Sequence, residues 1–571
     1  MIWINNGCSN VYDAVQKKTG NAEKILNPRR EYRVTNMKEL AFLLKKYAKA
    51  DILVTIIGDY DCDGVCASAE LFMLLKRIGF SNVRIRLPKR MSEGYGLSES
   101  IVDEIQQGLI ITVDNGIAAV SAIEKAKKKG LVVFIMDHHQ PIIENGQIVL
   151  PEADLIIDPH VEEVLSEMGE GTKPDFNGYC GAGLVYKLAQ LMIPNTRIFK
   201  EIAAFAAIAT IADLVPLVED NRIIYHEGIM SIKNRTITPG LQSLIDILQS
   251  ENYVTEHDIG FKIAPMLNAP GRLYDNGAML SLATLLASSP ENAFKMALQL
   301  KDINDQRKAL KDSATKRAEK IIEENNLSNT NPIVIYDPET PEGIVGLVAG
   351  TICETYNASA IVFTKTGNKL KGSARAIENN NIKNALDQFH DKHPEILLKY
   401  GGHKQAAGLT VAFSGLDLFK REMEKILSPV RKKDPELSYD LTIAPSDIPL
   451  IAADLERFRP FGEGNPQINV RINHFMPIPR GNSFYMRIGK DSIRFWGVGC
   501  EVVGFSMADR FLYDAYPKQL DIIGKISYKN FRGSKTVQVE ILDYIAREKL
   551  GSPQFSINSS IASALQQVNL F

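Results

Sequence analysis

A chain of 571 residues exceeds what one core ordinarily serves, so three or more domains are expected. A formal net charge of −2 excludes nucleic-acid binding through a global field and leaves only local basic patches for it. Six scattered cysteines without CxxC spacing exclude a zinc ribbon or disulfide framework, and the longest apolar run, Ile202 to Ala212, is too short to span a bilayer.

Residues 1–50 read as a short helical cap, and the opening MIWINNGCSN lacks the basic and apolar regions of a signal peptide, so a cytoplasmic protein is expected. The next stretch organises the chain. Ile52 to Ile57 is a β-branched run typical of a buried strand, and Leu71, Leu74, Leu75 and Ile78 recur at helical spacing before Gly79. Between them stand Asp59, Asp61, Asp63 and Gly64. Three carboxylates at one strand-to-helix turn repel one another unless a cation neutralises them. With Glu70 they also match the EF-hand calcium loop, but that loop needs a helix on each side, and a strand precedes this one.

Three more apolar runs end in polar groups: Leu109–Val113 before Asp114, Leu131–Met136 before Asp137, His138 and His139, and Leu155–Ile157 before Asp158. Alternating strands and helices imply a parallel doubly wound sheet, in which ligands bind outside the carboxyl ends of the strands. Glu201–Leu217 reads as an apolar helical segment enclosing one acid, Asp213, which needs a cation or a salt-bridge partner. After Ser289-Pro290 no Gly or Pro interrupts Glu291–Asn325, a helix of roughly 50 Å suited to joining two lobes.

A second α/β unit begins near Asn331 and contains two small-residue turns, 372–375 (GSAR) and 401–404 (GGHK), whose glycines and donors suit a phosphate. After the turn-rich RPFGEGNP (459–466), Asn469–Asp543 reads as a small β-barrel. It carries eleven Lys or Arg against seven Asp or Glu, interleaved with aromatics. Trp496, Tyr528 and Phe531 are stacking candidates for single-stranded nucleic acid, the alternative being barrel core. The polar tail from Arg547 ends in the less polar Gln567–Phe571. The expected domains are thus a cap (1–50), a doubly wound domain (51–235), a helical connector (236–330), a smaller α/β domain (331–430), a linker (431–466), an oligonucleotide-binding (OB) β-barrel (467–545) and a tail (546–571).

Asp59, Asp61, Asp63, Asp114, His138 and Asp213 can fill two adjacent metal positions. Oxygen ligands with an imidazole favour Mn²⁺ or Mg²⁺, a pair suited to phosphoester hydrolysis. His139 and Asp137 are the catalytic candidates, with His139 donating to a phosphate oxygen.

The segments GDYDCDG (58–64), VDNG (113–116), DHH (137–139) and TIADLVPL (210–217) resemble the ordered motifs of the DHH phosphoesterase superfamily. GSAR (372–375) and GGHKQAAG (401–408) resemble its associated second domain. EGYGLS (93–98), GFKIAPMLNAPGRL (260–273), PFGEGNP (460–466) and RGSKTVQV (532–539) are similar to the RecJ family of bacterial 5′→3′ single-strand DNA exonucleases. The resemblance implies that Arg272, Ser373 and Arg375 hold the 5′-phosphate, and that Arg90, Gly402 and His403 contact the DNA backbone. Met266, Pro341 and Asp158 depart from the family pattern without removing an implied metal ligand. Gln567, Leu570 and Phe571 resemble a sliding-clamp docking peptide, against which stands a tail folded back on the protein. The implied activity is release of mononucleotides in recombination and repair by a monomer served by a helicase or single-strand binding protein. The competing readings are a nanoRNase or cyclic-dinucleotide phosphodiesterase, and a catalytically silent DNA-binding scaffold.

Overall fold

Val54–Ile57 is buried at all four positions, as a strand covered on both faces must be. In the computed structural model, which describes residues 1–29, 31–248, 254–427, 436–481, 483–531 and 534–549, this strand lies second in a five-stranded parallel sheet. The order is Val83–Arg86, Val54–Ile57, Leu109–Val113, Val132–Met136, Leu155–Ile157. The chain therefore reverses direction across the sheet between Val54–Ile57 and Leu109–Val113, and a crevice opens beyond their carboxyl ends. Asp59–Asp63 and Asp114 follow these two strands directly.

Contacts divide the chain into two units: residues 33–213 with 224–432, and the described residues of 1–32, 214–223 and 433–571. In the larger unit the helix Cys62–Ile78 packs against Gly181–Met192 and Arg197–Ala212. A Cβ at Gly64 would lie 2.5 Å from the Asp59 nitrogen, so only glycine lets this helix start against the acidic loop. The helix enclosing Asp213 in the sequence reading stops earlier. It spans Arg197–Ala212, Asp213 caps it, and Leu214 turns away at φ 56°. Pro216 disfavours a helical residue before it and would clash if the helix continued.

The long helix is observed at Pro290–Glu324, capped by the Ser289 side chain. Its first half buries Ala293, Ala297, Leu300 and Asn304 on one stripe, and its second half buries Ala314, Ala318 and Ile322. It packs first on the connector helices and then on the helix Val345–Tyr356 and strand Ile333–Tyr336, spanning both lobes as expected. The second sheet runs Leu397–Gly402, Ala406–Ala412, Lys369–Arg375, Ala360–Thr366, Ile333–Tyr336. Here 372–375 is not a turn but the end of a strand, and Gly401–Gly402 ends another. Gly372 serves close packing, since a Cβ there would lie 2.5 Å from the Phe363 ring.

In the smaller unit the OB region is an open seven-stranded sheet, not the closed barrel expected. Two long strands, Pro517–Phe531 and Ser534–Lys549, pair along their length with three register shifts. Among the described residues, Leu441–Ile443 and Tyr485–Ile488 stay at opposite edges with one neighbour each. The expected 1–50 cap is divided. Ile2–Asn5 pairs with Glu436–Tyr439, and Val11, Ala14, Val15, Ala22 and Ile25 enter the core of the OB unit, whereas Met37–Lys49 belongs to the larger unit. Gln567, Leu570, Phe571 and the Phe531 side chain lie outside the described residues. All six cysteines are free, and no described helix is long and apolar enough to cross a membrane.

Asp521 ties this unit together. Only 1% exposed, it accepts from Arg471 at 3.2 Å, Arg547 at 3.1 Å and the His474 N–H at 3.0 Å. Burial pushes its carboxyl up, but the bonds from Arg547, the His474 N–H and Arg471 outweigh burial and hold it below the ordinary range. Asp521→Ala is expected to cost about 2 kcal/mol, because it removes the bonds that converge on one buried carboxylate, while Arg471 and Arg547, both partly exposed, can turn to water. The readout is a lower urea midpoint by tryptophan fluorescence, because Trp3 and Trp496, the only two tryptophans, both lie in this unit. Because the folded value is depressed, the Asp521 contribution is full above the unfolded value of about 3.9 and fades as pH falls through the folded one.

Candidate active site

Four strand ends and one helix end deliver the acidic residues to one place. Asp61 caps Cys62–Ile78, accepting from the N–H groups of Asp63 and Gly64 at 3.0 and 3.1 Å. Asp63, in the first turn, accepts from Gly181 N at 2.6 Å and Ala182 N at 2.8 Å, the positive end of a second helix. Asp114 sits in the left-handed region at φ 61°. Gly181 is required beside it, since a Cβ there would lie 2.6 Å from Asp114 Cβ.

His138 Nε2 lies 3.0 Å from Asp114, 3.6 Å from Asp63 and 3.7 Å from Asp213. Three groups have ligand atoms within 4.8 Å of one another: Asp114, His138 and His139; Asp63, His138 and Asp213; and Asp59, Asp61 and Asp114. All six residues expected at metal positions fall in these groups. Burial, then Asp61, pushes the Asp59 carboxyl well up; burial, then Asp63, raises Asp61 and pushes Asp213 well up. Asp114 is raised by burial and then by Asp63, Asp61, Asp213 and Asp59. Asp59 Oδ1 has no hydrogen-bond partner among the described residues. Burial holds His138 below its ordinary value, hence neutral and fit to be a nitrogen ligand. Repelling carboxylates, an orphaned oxygen and a neutral imidazole match a divalent cation site in charge and donor type.

Asp137 has another task. Its Oδ1 accepts from His139 Nδ1 at 2.7 Å and from the His138 N–H, and Oδ2 accepts from Ile117 N at 2.9 Å. Burial works against its ionisation, but the His139 bond and charge hold it at about 2. Burial lowers His139, yet Asp137 more than compensates and lifts it to about 9, so it is an imidazolium at neutral pH. Tyr95, unassigned from the sequence although it stands in the EGYGLS segment, donates to the Asp114 carbonyl at 2.6 Å and lies 3.0–3.2 Å from the His139 ring nitrogens. Asp158 is buried, capping Pro159–Glu167 through His160 N.

Beside the acids lies a group of arginines. Arg90 stacks 4.5 Å over Tyr60, and its charge lowers Asp59 and Asp61. Arg272 is lowered to about 9 by burial and then by Arg90 and Arg307, with Asp61 and Arg375 also acting on it; among the described residues its one acceptor is the Gly343 carbonyl at 3.4 Å. Arg375 donates to Ser373 Oγ at 3.0 Å, and the Cβ position of Gly346 lies 3.0 Å from Ser373 Oγ and 3.2 Å from Arg375 Nη2. None of Arg90, Arg272, Arg307 and Arg375 forms an ion pair among the described residues, which leaves the group open to an anion. Arg307, on the long helix, carried no sequence signal.

Other expected contacts are not gathered here. His403 is exposed, with its N–H on the Ala406 carbonyl, and no described bond joins its side chain to the arginines. Gly402, at φ 144°, ends the strand Leu397–Gly402 just before His403. Met266 is core, 1% exposed. Glu342, next to Pro341, pairs with Lys371 at 2.6 Å. In the smaller unit Arg480 stacks 4.9 Å over Trp496, and Lys535 lies 4.0 Å over Tyr528.

Family models match three regions: DHH family, N-terminal domain, at 53–210; DHHA1 domain at 329–428; and RecJ OB domain at 439–543. The single-stranded-DNA-specific exonuclease RecJ of Haemophilus influenzae is 30% identical over 559 residues, covering 92% of this chain and 92% of the relative. The fold matches a crystal structure of RecJ from Thermus thermophilus in complex with Mn²⁺ at TM-score 0.76, with 23% identity over 98% of this chain and 81% of that one. A crystal structure of exonuclease RecJ bound to manganese is 27% identical, with TM-score 0.58 over 69% of this chain and 94% of that one. Relatedness along nearly the full length of both chains, with the three domain types in order, places this protein in the RecJ family of the DHH phosphoesterases.

Proposed function

We propose that this chain is a metal-dependent exonuclease that hydrolyses single-stranded DNA from its 5′ end to mononucleotides in recombination and repair. The observation that carries the direction of attack is adjacency: Arg272 feels the charge of Asp61, so the open arginine group borders the acid and histidine cluster. A terminal phosphate held by Arg272, Ser373 and Arg375, with Arg90 on the backbone, puts the first internucleotide bond beside the acids. The RecJ OB domain match favours this over a small oligonucleotide phosphodiesterase, and a silent scaffold has no use for mutually repelling buried acids.

In this reading Asp59, Asp61, Asp63, Asp114, His138 and Asp213 hold two Mn²⁺ or Mg²⁺ ions. When bound, these supply Lewis-acid activation of water and charge stabilisation at the leaving oxygen. Asp137 fixes His139 as an imidazolium, which donates a hydrogen bond to a phosphate oxygen as negative charge gathers there. Tyr95 keeps that ring in place. Gly402 and His403 contact the backbone further out, and Trp496, Tyr528 and Phe531 stack bases in the OB unit. The protein works as a cytoplasmic monomer, receives substrate from a helicase or single-strand binding protein, and docks on the sliding clamp through Gln567, Leu570 and Phe571.

The test is a 5′-phosphorylated single strand carrying a fluorophore at its 3′ end, incubated with Mn²⁺ beside matched blunt duplex and RNA. Stepwise shortening of the single strand, abolished by EDTA, is expected. Equal degradation of duplex, or product that appears first from the 3′ side, would refute the reading.

A further inference from the structure

The helical segment 259–273 reaches from the end of the Asp213 helix to the arginine group, and its exposure pattern is one-sided. Ile259, Ile263, Ala264, Met266, Leu267, Ala269, Pro270 and Gly271 are buried, Phe261 and Lys262 are exposed, and Gly260, Pro265, Asn268, Arg272 and Leu273 are partly exposed. Steps of four, three and four residues put Phe261, Pro265, Asn268 and Arg272 on one stripe of a helix. The stripe begins with an anomaly, because Ile259–Ile263 is a π-helical turn closed by the Ala264 N–H on the Ile259 carbonyl. Such a turn inserts a residue and re-aims side chains, and it is frequent at functional sites. Here it leaves Phe261 70% exposed, an unfavourable place for an apolar ring. One side of that ring is already organised: His257 stacks on it at 4.6 Å and 23°.

The turn also has a fixed relation to the acids. The Cβ position of Gly260, next to Phe261, lies 3.6 Å from Ile211 Cγ2, two residues before Asp213. Roughly 16 Å of helix, at 1.5 Å per residue, separates Phe261 from Arg272. A strand whose 5′-phosphate sits at Arg272 and which runs along this stripe passes the partly exposed Asn268 and then reaches an open aromatic ring.

We infer that Phe261, backed by His257, is a stacking step for a base on the 3′ side of the scissile bond, so that it sets affinity for longer single strands. The inference rests on the exonuclease reading above. Phenylalanine suits this task because every base offers a π-face, so stacking adds grip without sequence preference.

The experiment uses the full chain and 5′-phosphorylated substrates of two lengths, a dinucleotide and a strand of about 20 nucleotides. Phe261→Ala is expected to raise KM for the long strand about tenfold, the loss of one stacked base, with kcat little changed. Phe261→Trp restores it. A single abasic residue moved along the long strand then locates the base: at one position it reproduces the loss in the wild type and has no further effect in Phe261→Ala. An unchanged KM in Phe261→Ala overturns the inference, as does an equal loss on dinucleotide and long strand, or abasic effects identical in both proteins. A wild-type protein that degrades neither substrate overturns the exonuclease reading itself, a result separate from all of these.

Discussion

Asp114→Asn is expected to abolish Mn²⁺-dependent hydrolysis, by about a thousandfold or more, while raising the melting temperature of the metal-free protein. Activity falls because Asp114 belongs to two of the three ligand groups, so its loss disturbs both proposed ion positions. Stability rises because four neighbouring acids repel Asp114 in its buried position, and Asn removes that repulsion while keeping the shape. Asn also tolerates the left-handed backbone at φ 61° better than most residues. Each kcal/mol relieved should raise the transition by roughly 2–4 °C in calorimetry with EDTA. Adding Mn²⁺ should then stabilise the wild type and leave the variant nearly unmoved. A variant that melts lower without metal would make Asp114 a structural acid. Asp63 is a less clean choice, because its carboxylate also anchors the start of Gly181–Met192.

Arg272→Gln is expected to raise KM for a 5′-phosphorylated strand about a hundredfold and to erase most of its advantage over a 5′-hydroxyl strand. Arg272 lies partly buried among like charges and, among the described residues, forms no ion pair and donates only a long bond to Gly343, so its position has value only when an anion arrives. For the same reason the substitution should not destabilise the free protein, since Arg90, Arg307 and Arg375 lose a repelling neighbour. The salt dependence of binding, measured on a phosphorothioate strand, should flatten by about 0.7 in log–log slope per lost phosphate contact. Equal losses on phosphate and hydroxyl ends would place Arg272 on the backbone and not on the terminus.

Much of the site is legible along the chain because its chemistry follows strand ends. A buried β-branched run such as Val54–Ile57 announces a parallel strand, and acids directly after it lie at the carboxyl edge where ligands bind. Asp59, Asp61, Asp63, Asp114, His138 and His139 were all reachable by that rule. The long helix was equally plain, as an uninterrupted run behind Ser289-Pro290. Composition misled where it stood in for geometry. Glycine-rich 372–375 reads as a turn, yet Gly372 is there to pass the Phe363 ring within a strand. Short strands with basic residues suggest a closed barrel, yet closure depends on whether the edge strands meet, and Leu441–Ile443 and Tyr485–Ile488 do not pair.

The sequence by itself determined the doubly wound domain, the acids at its strand ends and the chemistry they can support, because alternation and strand-end position are local properties. The tertiary structure alone decided which distant groups share that chemistry. It sets Asp213 as a helix cap facing His138, seats Asp63 on Gly181 and Ala182, and gathers Arg90, Arg272, Arg307 and Arg375 from one loop and three separate elements. It also packs the first helices into the OB unit and leaves Phe261 exposed on a π-turn. The physical reason is that hydrophobic periodicity states which face of an element is buried but not against what. Like charges are brought together only when packing elsewhere in the fold outweighs their repulsion.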